Sequence, residues 1–111
     1  MILINIPFAV ESSILDGFLA WIAGDFRREA REAVGGRAFV LTRIMRQEGP
    51  EAAPADADEL TYACQFRVAT EEQARQWLDH FSQVMLRESA LRWGSKLLQF
   101  TTLMEIVPLP D

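Results

Sequence analysis

This chain is poor in the residues that usually announce a chemistry. It has one cysteine, one histidine and one tyrosine among 111 residues. Cys64 alone cannot form an internal disulfide, which fits a reducing compartment. One Cys and one His fall short of a usual zinc set, so no metal is expected. No glycine loop of the phosphate-binding kind and no nucleophile elbow is present, and no cofactor is expected. No apolar run approaches the ~20 residues of a membrane span. Met1-Ile-Leu-Ile-Asn5 lacks a basic region ahead of an apolar one, which argues against a signal peptide and for a cytoplasmic protein. Positive charge is not in surplus either. The formal net charge is −5, so neither nucleic acid nor an anionic membrane is an expected partner.

What is present is a core. Half of the residues are hydrophobic, enough to exclude disorder, and the length suits one domain over 1–111. Five of the sixteen acidic residues (Glu48, Glu51, Asp56, Asp58 and Glu59) lie in one short stretch without Lys or Arg; the remaining eleven match the eleven basic residues. The acidity therefore belongs to a loop, residues 48–58. Gly49, Pro50 and Pro54 block regular structure there, and the loop is expected to be mobile and dispensable.

Hydrophobic periodicity lays out the rest. Ile2 to Val10 alternates as a strand, with Pro7 predicting a local break in a ladder. Ser12 or Ser13 is positioned to cap a helix to about Ala33, in which Ile14, Phe18, Ile22 and Phe26 recur every four residues; Gly24 weakens it and Gly35-Gly36 ends it. Arg37 to Gln47 is a strand with both faces apolar enough for burial. Leu60 to Val68 is a third strand, with Tyr62, Cys64 and Phe66 on one face. Thr70 and Gln73 form a capping box for a second helix whose apolar set is Ala74, Trp77, Leu78, Phe81, Val84 and Met85. Its phase slips past Leu86, where Glu88 would fall on the buried side, which predicts a bend and a short terminal turn closed by Gly94. Leu97 to Ile106 is the last strand. Leu98, Phe100, Met104 and Ile106 are expected on its dry face, with Leu97, Gln99, Thr101, Leu103 and Glu105 opposite.

The order strand, helix, strand, strand, helix, strand is the ferredoxin-like βαββαβ pattern, an α+β fold with a four-stranded antiparallel sheet. Two helices cover one face of such a sheet. The uncovered face is expected to expose Leu3, Leu97, Leu103 and apolar residues of the second strand, a large patch for a monomer. A second copy, sheet against sheet, removes it and gives a dimeric α+β barrel. The expected partner is thus a second copy of the chain.

Trp21, Tyr62-Ala-Cys-Gln65, Trp77-Leu-Asp-His80, Arg92-Trp-Gly-Ser-Lys96 and Phe100-Thr-Thr-Leu-Met-Glu105 together resemble the bacterial domain-of-unknown-function family numbered 4286, over nearly the whole chain. The resemblance implies membership of the dimeric α+β barrels and no particular activity. That superfamily spans cofactor-free oxygenases, haem-degrading enzymes, lactone isomerases and binding proteins. The family's pattern places a His near the end of the first helix; Phe26 stands there in this chain, so no role for that His carries over.

The candidate ligand-binding residues are the polar groups assigned to the second sheet face: Asn5, Arg43, Gln65, Arg67, Gln99, Thr101 and Glu105. Arg43 or Arg67 would bind an anion and Glu105 would act as a base. The competing interpretation is a self-satisfying polar network at a sheet–sheet contact. His80 lies about 100° from the centre of the second helix's apolar stripe, a boundary position conceivable for a haem ligand. Cys64, between Tyr62 and Phe66, is a core thiol. These observations favour a binding protein for a small apolar or aromatic-acid ligand. The alternatives are a metal-free oxygenase or isomerase acting on a hydrophobic substrate, and a structural or interaction module.

Overall fold

A computed structural model of the chain describes residues 1–45 and 59–110. The acidic loop over 48–58 lies outside the described residues. Strands β1 (Ile2–Glu11), β2 (Arg37–Arg43), β3 (Glu59–Val68), β4 (Leu97–Gln99) and β5 (Thr102–Glu105) form one sheet in the order β2-β3-β1-β4, with β5 also on β1. All pairings are antiparallel. β4 and β5 are one strand in two pieces: Gln99 sits opposite Phe8 and Thr102 opposite Asn5, a single register across the gap. The gap falls beside Pro7, which has no amide to donate. The arrangement is the ferredoxin-like one, with β2 and the β4–β5 strand at the two edges.

Two helical arms lie on one face. The first comprises α1 (Leu15–Trp21), a π-helical turn (Ile22–Phe26) and α2 (Arg27–Glu32); the second comprises α3 (Glu71–Gln76), a π-helical turn (Trp77–Phe81) and α4 (Ser82–Trp93). The π turns follow from the apolar spacing. Ile14, Phe18, Ile22, Phe26, Ala30 and Val34 are all buried, a strict four-residue repeat. On a regular helix of 3.6 residues per turn such a repeat drifts about 40° at each step. A turn bonded i→i+5 takes in about one extra residue and so offsets part of that drift. The second arm has the same four-residue spacing, with Trp77, Met85 and Ser89 buried and Phe81 and Trp93 partly so. Its α4 runs as one helix from Ser82 to Trp93, without the separate terminal turn expected from Glu88 on. Gly24 sits inside the first π turn.

The helix ends are mostly as the sequence implies. Thr70 and Gln73 form a complete capping box. Gly35 takes a positive φ of 66°, and a side chain on Gly36 would lie 2.6 Å from the Ala30 carbonyl oxygen and 2.7 Å from the Phe66 ring. Ser12 and Ser13 do not cap; the Ser13 hydroxyl donates to Glu11 instead. Gly94, at φ 56°, terminates α4.

Between arms and sheet lies an aromatic core. Phe8 meets Phe18 and Phe26 edge to face, Phe26 and Phe66 both pack on Trp77, and Phe39 stacks on Phe66. Edge-to-face pairs of this kind add to what burial alone contributes. Trp77 is fully buried, and its Nε1 has no hydrogen-bond partner among the described residues. Burial pushes the Cys64 thiol well above its ordinary pKa, as befits a packing residue. Strand β2 is less buried than its sequence suggests: only Phe39 and Leu41 reach the core, because the strand is an edge.

Candidate functional site

The sheet's second face is where this fold leaves side chains free. Alternation along the paired strands decides which residues stand there. On β1 the residues between the buried Ile4, Ile6, Phe8 and Val10 are Leu3, Asn5, Pro7 and Ala9. Opposite them on β3 are Arg67, Gln65, Ala63 and Thr61, and on β2, Val40 and Thr42 continue the face. At its centre the Gln65 side-chain amide donates to the Asn5 oxygen at 2.9 Å.

The last strand presents the opposite side to that expected from its apolar count. Leu97 is opposite Val10 and Leu103 opposite Ile4, so both face the helices. Leu97 is 6% exposed, whereas Leu98 is 58% and Phe100 65% exposed. Leu98, Phe100, Met104 and Ile106 therefore belong to the open face. The backbone register with β1 overrides the side-chain count.

This reversal sorts the candidate residues. Asn5, Gln65 and Arg67 are together on the open face. Gln99 is on the helix side, where its amide donates at 2.7 Å to the hydroxyl of buried Ser89, which in turn donates to the Leu86 carbonyl. Thr101 and Glu105 share that side by alternation, Glu105 opposite Ile2. Arg43 is opposite Tyr62, again on the helix side, at the far edge of the sheet from Glu105. Arg43 and Glu105 are not brought together. His80 is exposed on the second arm, its ring edge against Phe81.

Arg37 is a charged open-face residue that the sequence candidates did not include. Between Arg37–Arg67 and Val40–Gln65, β2 has two residues where β3 has one, a β-bulge. The bulge sets Arg37 directly opposite Arg67. Its hinge is Ala38, at φ 54°, a left-handed conformation usually taken by glycine. With alanine there, the sequence carried no sign of the bulge.

A second polar group joins the middle of the first arm to the last turns of α4. The Trp21 indole donates to Glu88 at 3.3 Å, and Arg92 bridges Glu88 at 3.1 Å and Asp25 at 3.6 Å. Trp21 and Trp93 meet edge to face. Glu88 thus serves as an inter-arm acceptor, which accounts for its place on the inner flank of α4. Every charge in this group has a partner, so it works as a clasp.

Among the described residues no group of three or more His, Cys, Asp or Glu is placed to hold a metal ion. Among them, too, no helix is long and apolar enough to cross a membrane.

In fold the chain is similar to an ethyl tert-butyl ether D (EthD) family protein from Bacillus halodurans C-125, with a TM-score of 0.57 over 96% of this chain and 100% of that one. The two share 15% identity, so the likeness speaks for the fold alone. No curated protein matches the chain significantly. The profile of the family described as a domain of unknown function, DUF4286, matches residues 1–107, and the chain belongs to that family.

Proposed function

We propose that this protein is a homodimer, packed sheet against sheet as a dimeric α+β barrel, that binds a small, partly apolar ligand between the two sheets. The observation that carries this reading is the exposure of Leu98, Phe100, Met104 and Ile106 along one edge of the open face. Large apolar residues grouped in this way mark an interface far more often than a solvated surface. A second copy has the matching patch by symmetry. The amide pair Asn5–Gln65 in the middle of the face offers polar contacts that would orient a ligand.

Binding, rather than catalysis, suits the residues available. The open face offers amides and guanidiniums, which are poor proton carriers near neutral pH. Glu105 and His80, the groups best suited to acid–base work, lie off it. A thermal-shift screen of small aromatic compounds tests the reading, since a ligand of the folded state raises its melting temperature. Hits on the wild type should vanish in Phe100→Asp, which removes the shared patch. Hits retained in that variant would place the ligand elsewhere.

A further inference from the structure

We propose that Arg37 and Arg67 form an anion-binding pair on the open sheet face, built by the bulge at Ala38, which takes the carboxylate of a small organic acid. The inference deepens the ligand-binding reading above and rests on it. Without the bulge, Arg37 would pair one position further along, opposite buried Val68 on the helix side. With it, Arg37 stands opposite Arg67, and residues so paired have their Cβ atoms about 4.5–5.5 Å apart.

Two unfavourable features meet at this point. An L-residue at φ 54° is strained by contact of its Cβ with the following carbonyl. Like charges directly opposite on neighbouring strands repel. No ion pair among the described residues involves Arg37 or Arg67. Strain of this kind persists where the surroundings or a ligand make use of it. An oxyanion between the two guanidiniums turns repulsion into two charge-assisted contacts, and the planar fork of arginine matches a carboxylate.

The neighbours narrow the ligand. Gln65 is two residues before Arg67 on the same face, and its bond to the Asn5 oxygen leaves the Asn5 amide hydrogens free to donate. Leu3 is opposite Arg67 on the other flank. A charged head beside an amide and an aliphatic side chain suits a carboxylic acid with an apolar body. Two arginines are too few for a nucleic-acid backbone.

The experiment is titration of the full-length protein with benzoate, its neutral isostere benzamide, and sulfate. Calorimetry and melting temperature give the readout, and the mass by light scattering is taken in the same buffer. Benzoate should bind and stabilise, with benzamide and sulfate clearly weaker. Arg37→Gln and Arg67→Gln should each weaken benzoate at least about tenfold, the loss of a charge-assisted contact, at unchanged mass. Ala38→Gly should raise the melting temperature and keep benzoate affinity, since glycine holds the bulge without strain. Equal benzoate affinity in the arginine variants, or benzamide binding as well as benzoate, would overturn the pair. Sulfate binding as well as benzoate would overturn the organic-acid assignment. A monomer that binds benzoate through the two arginines would overturn the dimer and leave this site standing; a dimer indifferent to benzoate would do the reverse.

Discussion

The two faces of the sheet share their central strands and differ in how they are finished. On the helix side, Ile4, Ile6, Phe8 and Val10 of β1 meet Tyr62, Cys64, Phe66 and Val68 of β3, and two helical arms seal them. On the open side the same strands carry Asn5, Pro7, Ala9, Ala63 and Gln65, small or polar, with Leu3 at one end, while the edge strand carries most of the large apolar residues. The covered face is a core complete within this chain. The open face has a polar centre, an apolar flank at the last strand and an arginine pair at β2, with nothing in the described residues to meet them. That contrast is the basis for placing assembly and ligand on the open side.

The largest effect should come from emptying the covered face. Trp77→Ala should cost about 3–5 kcal/mol, the usual loss for a buried aromatic, measured by urea unfolding. Phe100→Ala should lower the urea midpoint only through assembly. Its effect should therefore shrink on dilution. If both substitutions cost the same at every concentration, the two faces are not distinct in kind.

Two leucines on opposite faces of the last strand offer a sharper contrast. Leu103→Asp puts a charge among core residues and should prevent folding. Leu98→Asp should leave circular dichroism native and dissociate the protein. The reverse outcome would show that the strand's faces are exchanged.

The element order, the two faces of β1 and β3, the capping box at Thr70–Gln73 and the glycine stops were all legible in the residues. Each depends on local spacing or on the chemistry of a few neighbours. The faces of the last strand were not, because Leu98, Phe100, Met104 and Ile106 outweigh Leu97 and Leu103 in any count of apolar residues. Only the register against β1 decides the matter. The candidate site was legible in part for the same reason: Asn5, Gln65 and Arg67 lie on central strands, whereas Arg43, Gln99, Thr101 and Glu105 were assigned from the phase of edge strands. The four-residue repeat in the first arm was visible, but its consequence, a π turn, follows only once the stripe must stay over a flat sheet. The bulge that turns Arg37 round is carried by an alanine and had no local signal.

Smaller effects separate buried from exposed polar contacts. Ser89→Ala leaves the Gln99 amide under α4 without its acceptor and should cost about 1–3 kcal/mol in urea unfolding. Glu71→Gln breaks a pair with Arg75 in which both side chains are about 70% exposed, and should change stability by less than ~0.5 kcal/mol. A large loss from Glu71→Gln would mean that the exposed surface of α3 has a role beyond solvation.

The central claim, that the open sheet face is an interface between two copies, is tested most directly by light scattering on the wild type and on Phe100→Asp across micromolar concentrations. The account predicts a wild-type mass of twice the 12.6 kDa of one chain, and a folded variant at the single-chain mass. A wild-type protein that stays at the single-chain mass throughout would contradict it.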